Sequence, residues 1–257
     1  MTIMRNIAAV LVTLAFSTAA ARAEIRTHWI EYSQGGARLK GYLAYDDSLG
    51  DRRPAMLLVH RRNGMDAVTL KNTEMYAGLG YVVFAADMFG YGEGVLPKDV
   101  PEMQAQTAIY NQDRTLMRAR TLAGLDTLAA SPMVDASRIA LLGYCFGGTV
   151  GVETAYAGAP LAALITIHGS FRNHAADGAR NVKGRVLILH GAEDKVAPLA
   201  EVNKLIGDLR AARVEFQYEL YSGAEHGFST PRNKAEERAN AQSIAATARF
   251  LKESFGM

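Results

Sequence analysis

Cys145, the only cysteine among the 257 residues, lies in the segment IALLGYCFGG, residues 139–148. The segment is typical of a buried strand, a Gly-x-Cys-x-Gly-Gly turn and the start of a helix. In such a turn the central side chain is exposed as a nucleophile, and the flanking glycines permit close backbone packing. The N-terminus of the helix favours a thiolate, because its N–H groups and dipole stabilise an anion. The pattern predicts a nucleophilic thiol, with a small buried apolar side chain as the simpler alternative.

Asp194 and His226 are the residues best placed along the chain to activate this thiol. Asp194 follows one predicted strand in the segment HGAED, and His226 follows the next predicted strand in the segment GAEHGF. Nucleophile, acid and histidine thus occur in a known catalytic order, each after a strand. His226 would accept the thiol proton, and Asp194 would fix the imidazole tautomer. The alternatives are a turn or helix cap for Asp194 and a polar loop residue for His226, and Glu193 is the reserve acid.

The elements that must position these residues begin at residue 24. Residues 27–32 and 39–45 alternate in polarity around two glycines and predict an antiparallel hairpin. Strand–helix units follow, so we predict an α/β chain with a mostly parallel sheet covered by helices on both faces. Active sites of such sheets lie at the carboxyl ends of the strands. Helices are expected at residues 68–79, 103–130, 147–157, 199–212 and 234–255.

Residues 1–23 have the features of a cleavable signal peptide. A short positive region precedes an apolar run over residues 7–16, and Ala21-Arg22-Ala23 fits the small-residue cleavage rule. The run is short for a membrane span, although a retained N-terminal anchor is the alternative. We therefore predict cleavage after Ala23, a single domain over residues 24–257 with no membrane association, and a periplasmic or secreted location.

Composition and charge argue against several other classes of protein. Apolar residues make up 49% and charged residues 21% of the chain, as in ordinary globular proteins. Removing Arg5 and Arg22 with the predicted signal peptide leaves 26 basic residues against 26 acidic ones, so no electrostatic argument favours nucleic acid. His60, His168 and His190 follow predicted strands, but no pair has metal-ligand spacing. We expect packing or supporting roles for them, and no metal or organic cofactor.

Taken together, five segments resemble the dienelactone hydrolase family. The resemblance implies an α/β-hydrolase fold of about eight strands, a Cys-Asp-His triad and hydrolysis of an ester or lactone without a cofactor. It extends over nearly the whole predicted mature chain, and a cysteine nucleophile is fairly specific because most α/β-hydrolases use serine. The matching segments are residues 58–64, 80–90, 143–148, 190–194 and 224–228.

The resemblance also suggests residues that surround the nucleophile. The backbone N–H groups of Phe146 and Arg62 are the expected oxyanion donors, and Tyr144 and Arg61 are candidate substrate contacts. Family members often have a glutamate at the position of Arg61, where it contacts the resting nucleophile. An arginine there would favour the thiolate or bind a substrate carboxylate. A solvated loop arginine is the alternative.

These observations lead to one main functional hypothesis and two others. The main hypothesis is an exported hydrolase that cleaves a small ester, lactone or thioester, with anionic molecules among the candidates, through an S-acyl intermediate. A general carboxylesterase or thioesterase is the alternative within enzymes. A non-catalytic binding or redox-sensing protein with a reactive thiol is the alternative outside them, and loss of turnover in Cys145→Ala would discriminate against it.

Overall fold

A computed structural model describes residues 24–50, 52–90, 96–172 and 174–257. The predicted signal peptide, residues 1–23, lies outside the described residues. Eight strands form one sheet. They are β1 (Ile25–Gln34), β2 (Ala37–Asp46), β3 (Arg53–Val59), β4 (Val82–Ala86), β5 (Val134–Tyr144), β6 (Ala163–Ile167), β7 (Arg185–Gly191) and β8 (Phe216–Tyr221).

The strand order across the sheet is β1-β2-β4-β3-β5-β6-β7-β8. The hairpin strands β1 and β2 pair in an antiparallel manner, and β2 is also antiparallel to β4. All other neighbouring pairs are parallel. The prediction of a mostly parallel sheet of about eight strands after an N-terminal hairpin is therefore confirmed.

Helices cover both faces of this sheet. They are α1 (Ala67–Ala77), α2 (Val100–Gln112), α3 (Arg114–Ala129), α4 (Phe146–Tyr156), α5 (Leu199–Ala211) and α6 (Lys234–Phe255), with a short 3-10 helix at Ala176–Asn181. Alternation along β3 sends Leu57 to the face covered by α3, α4 and α5, and Leu58 to the face covered by α1 and α6. Two apolar cores therefore lie on either side of one sheet. No helix among the described residues has the length and apolar character needed to cross a membrane.

The helix expected over residues 103–130 is two helices in the structure. Its path breaks at Asp113, whose backbone has φ −114° and ψ 87° and whose carboxylate accepts a hydrogen bond from the Leu116 N–H at 2.8 Å. A short acidic side chain can satisfy the free N–H groups of a new helix, which competes with continuing the old one. Hydrophobic periodicity does not register such a break, because the break depends on the backbone and the carboxylate of one polar residue.

The topology places the candidate site residues at one edge of the sheet. Cys145 directly follows β5, Asp194 follows β7, and His226 follows β8. Strands β5, β6, β7 and β8 lie side by side in this order and are parallel, so their carboxyl ends meet at that edge. The fold thus positions all three side chains where the sequence pattern predicted them.

Candidate active site

The backbone at Cys145 makes a sharp turn between β5 and α4. Its φ of 51° and ψ of −112° lie in a region that residues with a side chain rarely adopt. The surrounding backbone is too close for β-carbons. One added at Gly143 would overlap the Gly147 carbonyl, and one added at Gly147 would overlap the Val59 carbonyl at the end of β3. Gly143 is therefore required by the close approach of the first turn of α4, and Gly147 by the close approach of the end of β3.

Cys145, His226 and Asp194 form a continuous chain of hydrogen bonds. His226 Nε2 lies 3.0 Å from Cys145 Sγ, and His226 Nδ1 lies 2.8 Å from Asp194 Oδ2. The other carboxylate oxygen, Oδ1, accepts hydrogen bonds from the N–H groups of Val196 at 2.9 Å and Ala197 at 2.8 Å. The loop after β7 therefore fixes the carboxylate, and the carboxylate directs the imidazole toward the sulfur.

Hydrogen bonds among these three side chains stabilise their charged forms, whereas burial disfavours them. Burial alone would raise the pKa of the Cys145 thiol, but hydrogen bonding to His226 and two backbone N–H groups holds that pKa below its ordinary value. Burial would lower the pKa of His226, but Asp194 and the sulfur raise it to about 9. Burial also opposes ionisation of Asp194, and hydrogen bonds from His226 and the Ala197 N–H hold its pKa below the usual range. The arrangement favours a thiolate–imidazolium pair.

The two N–H groups that contact the sulfur are those of Phe146 and Arg62. Phe146 begins α4, so its N–H is free of helical partners. Arg62 lies in the loop after β3, and β3 is a neighbour of β5 in the sheet. The structure thus brings both expected donors to the nucleophile, and a carbonyl oxygen bound in this position could accept from both. Their action on an oxyanion remains a prediction.

Two buried histidines contact the residues that hold the triad in place. His190 Nε2 lies 2.9 Å from the Ala197 carbonyl oxygen and steadies the loop that holds Asp194. The His168 ring packs edge-on against the His226 ring at 5.1 Å, and its Nε2 lies 2.7 Å from Ser229 Oγ. Burial holds the pKa of both rings below the ordinary value, so each is neutral. Both fit the supporting role expected from the sequence.

A cavity of about 290 Å³ opens over the sulfur. No Asp or Glu among the described residues lines it. Four neutral polar side chains line it together with seven others, which are Cys145, Phe146, Val196, His226 and the arginines Arg62, Arg114 and Arg172. Sequence reasoning did not identify Arg114 and Arg172, because no local motif marks them. They come from the break between α2 and α3 and from the loop after β6, and only the tertiary fold brings them to the cysteine.

The assignment of Tyr144 to substrate binding is wrong. Tyr144 is the last residue of β5, and its side chain points to the sheet face covered by α1 and α6. The ring is 3% exposed, and its hydroxyl lies 3.2 Å from the Tyr76 hydroxyl. Strand alternation explains this placement, since adjacent residues project to opposite faces. Tyr144 packs in the core and does not line the cavity.

Arg61 also lies away from the cavity lining, which corrects its assignment as a substrate contact. Its guanidinium donates to Asp66 Oδ2 at 2.9 Å and to Thr230 Oγ1 at 2.8 Å. Only 15% of the side chain is exposed, so the solvated-loop alternative does not describe it either. Arg61 links the loop after β3 to the loop that carries His226. The contacts that lower the thiol pKa come from His226 and the two N–H groups, and the cations of the cavity are other arginines.

Comparison with known proteins agrees with the fold. Residues 39–255 match the model of the dienelactone hydrolase family. The chain belongs to this family. The predicted membership and its ester hydrolase activity class are thereby confirmed. Within the described residues, no group of three or more His, Cys, Asp or Glu side chains is arranged to hold a metal ion.

Three relatives illustrate the similarity. A Synechocystis sp. protein named as a candidate carboxymethylenebutenolidase is 25% identical over 257 residues, covering 90% of this chain and 97% of that protein. The solved structure m3DLH is 32% identical with a TM-score of 0.84, covering 90% of this chain and 98% of its own. A dienelactone hydrolase-like promiscuous phosphotriesterase from metagenomic libraries is 28% identical with a TM-score of 0.84, covering 90% and 99%.

The close packing at the turn predicts that Gly147→Ala destabilises the protein. The added methyl group would have to displace the backbone at the end of β3, at a cost of about 3 kcal/mol or more. Gly207→Ala is the matched control, because Gly207 lies within α5 with no atom within 4 Å of an added β-carbon. It should be neutral or stabilising by up to about 1 kcal/mol. Urea unfolding measures both free energies, and equal values for the two variants would contradict this account.

Proposed function

We propose that this family member is an exported hydrolase that cleaves small carboxylic esters, lactones or thioesters through the Cys145 thiolate. The observation that carries the proposal is the convergence on one sulfur atom. His226 Nε2 lies 3.0 Å from Sγ, and the N–H groups of Phe146 and Arg62 contact the same atom. This is the set of groups that acyl transfer requires: a nucleophile, a base with a fixed tautomer, and donors for an oxyanion.

Acylation begins when the thiolate attacks the substrate carbonyl carbon and forms the carbon–sulfur bond. The carbonyl oxygen becomes an oxyanion and replaces the sulfur as acceptor for the N–H groups of Phe146 and Arg62. When the oxyanion collapses, the bond to the leaving oxygen or sulfur breaks, and the leaving group takes the proton from His226 Nε2. The products of this step are an alcohol or thiol and an S-acyl enzyme.

Deacylation uses the same groups with water. His226, now neutral, removes a proton from a water molecule, and the resulting hydroxide attacks the thioester carbonyl carbon. The second tetrahedral intermediate expels the Cys145 thiolate, and His226 keeps the proton that restores the resting ion pair. Asp194 holds Nδ1 throughout, so Nε2 remains the atom that exchanges protons.

The first test is detection of the acyl enzyme. After p-nitrophenyl acetate is added to reduced protein, intact-mass spectrometry should show one acetyl group on Cys145. Turnover should fall by about 10³-fold or more in Cys145→Ala and by about 10²-fold or more in Asp194→Asn, because the nucleophile or the imidazole orientation is lost.

Glu193→Gln is the matched control for Asp194→Asn. Glu193 precedes the proposed acid and is exposed, so this variant should retain wild-type turnover. Undiminished activity in Cys145→Ala or in His226→Ala would rule out the proposed mechanism. A reactive thiol without any turnover would favour the non-catalytic alternative.

The charges around the cavity support an anionic substrate. Arg172 is paired with Glu201 at 2.8 Å, whereas Arg114 donates to two neutral acceptors, the Met117 sulfur and the Arg172 carbonyl oxygen. Burial lowers the pKa of Arg114 because it disfavours the charged form, and a substrate carboxylate beside the guanidinium would offset that cost. Lactones are among the proposed substrates because the matched family and the Synechocystis relative are named for lactone substrates. We therefore extend the proposal to esters and lactones that carry a carboxylate.

Replacing Arg114 should change charge preference rather than general activity. For Arg114→Gln, we expect kcat/KM for the monoanionic ester p-nitrophenyl hemisuccinate to fall by about 10-fold to 100-fold, the usual effect of losing a hydrogen bond to a charged group. The value for neutral p-nitrophenyl butyrate should stay within about 2-fold. Arg38→Gln removes a cation from an exposed position on β2 and should change kcat/KM for neither ester. Equal losses on both esters, or none on either, would count against an anionic substrate.

Export is the remaining part of the proposal, and it rests on residues 1–23. We expect protein from the periplasm of an expressing bacterium to begin at Glu24 when its N-terminus is sequenced. In Ala23→Phe, a bulky side chain replaces the small residue before the cleavage point, so the uncleaved chain should accumulate. Recovery of the wild-type protein with Met1 intact would contradict cleavage.

A further inference from the structure

His60 directly follows β3 and is 1% exposed. Its Nε2 lies 3.2 Å from the Met88 backbone nitrogen, and its Nδ1 lies 2.6 Å from the Arg61 carbonyl oxygen. A backbone N–H can only donate, so Nε2 must be the unprotonated acceptor nitrogen. The hydrogen of the neutral ring is therefore on Nδ1, and it is donated to the Arg61 carbonyl. The two contacts determine the tautomer between them.

The Arg61 carbonyl belongs to the same peptide unit as the Arg62 N–H. A trans peptide is planar, with its oxygen and its hydrogen pointing in opposite directions, and the described chain has no cis peptide bonds. A group that fixes the oxygen therefore fixes the direction of the N–H. The Gly64 N–H also donates to this oxygen, at 3.1 Å. The opposite side of the unit, the Arg62 N–H, contacts the Cys145 sulfur.

The imidazole of His60 has little freedom to rotate away from this carbonyl. Its ring packs edge-on against Phe89 at 4.7 Å, and the Phe146 ring lies 6.3 Å away. Phe146 supplies the second N–H that contacts the sulfur. One buried cluster therefore supports both donors, one through the packing of Phe146 and the other through the hydrogen bond from His60.

We propose that His60 is a positioning residue of the active site: its Nδ1–H orients the Arg61–Arg62 peptide so that the Arg62 N–H is directed at the substrate oxyanion. The chemical part of this role rests on the proposed function. The orientation of the peptide does not, and it can be measured separately. His60 touches neither the substrate nor the sulfur, so its effect is transmitted through the backbone.

The variant His60→Leu tests this role by comparing two reactions of the same thiol. Acylation by p-nitrophenyl acetate develops an oxyanion, whereas alkylation by iodoacetamide needs the thiolate but no oxyanion donor. We expect the acylation rate constant to fall by about 30-fold, because losing an oxyanion donor outright costs about 10²-fold to 10³-fold and this variant misdirects one. The alkylation rate of the fully formed thiolate should stay within about 2-fold of wild type. The midpoint of its pH profile should move upward, because the Arg62 N–H also stabilises the thiolate.

His60→Asn is the conservative variant. Its side-chain amide nitrogen can take the place of Nδ1 and donate to the Arg61 carbonyl, so acylation should recover to within about 5-fold of wild type. His174→Leu is the matched control, since His174 is also buried and its Nδ1 also lies 2.6 Å from a backbone carbonyl, that of Phe171. This control should lower stability without separating acylation from alkylation.

Nitrogen NMR of the resting protein gives a reading that does not depend on activity. The His60 ring should be neutral, with hydrogen on Nδ1 and a bare Nε2. Hydrogen on Nε2 would overturn the proposal, and so would equal losses of acylation and alkylation in His60→Leu or an Asn variant no better than Leu. If His60→Leu does not fold, the Asn variant and the tautomer decide. Failure of the proposed function would instead leave wild-type protein without an acyl enzyme while the tautomer stayed as described.

Discussion

The rest of the site depends on the crowded backbone turn at Cys145. β5 ends beside β3 and β6, and α4 begins at once, so the chain reverses direction within a few residues. The space permits glycine but no β-carbon at positions 143 and 147, and Cys145 itself takes a positive φ of 51°. The neighbouring strands β3 and β6 hold this strained backbone in place. The sulfur lies at a helix N-terminus, beyond the strand ends, where the loops after β3, β7 and β8 reach it.

Burial and hydrogen bonding act in opposite directions on the charges at this turn. A buried thiol and a buried imidazole would each favour their neutral forms. Their contact at 3.0 Å, the Asp194 carboxylate behind the ring and two backbone N–H groups outweigh that tendency. Two of these groups are in turn held by neighbours that do not react. The Ala197 N–H bonds to the carboxylate, and His60 bonds to the peptide that contains the Arg62 N–H. Reactivity at one atom therefore depends on a shell of ordinary hydrogen bonds.

The sequence predicted the parts of this arrangement that follow from local pattern. Strand-end placement identified Cys145, Asp194 and His226 as neighbours, because parallel strands deliver their carboxyl ends to one edge. Contacts made by tertiary packing were not predictable in the same way. Arg61 bonds both to Asp66 in its own loop and to Thr230, which lies 169 residues further along the chain. The arginines of the cavity and the helix break at Asp113 likewise depend on geometry that periodicity does not encode, whereas the inward orientation of Tyr144 follows from strand alternation.

The central claim is that Cys145 rests as a thiolate paired with a protonated His226. Ultraviolet absorbance of the thiolate, recorded against pH in wild type and in Cys145→Ser, tests it most directly. The account predicts a thiolate signal that rises with a midpoint below the ordinary thiol value of about 8.5 and is absent in Cys145→Ser. In His226→Asn the midpoint should move upward, because the cation that stabilises the anion is lost. The pair itself should persist until His226 loses its proton near pH 9. A wild-type signal that rises only above pH 8.5, or one that His226→Asn leaves unchanged, would contradict the account.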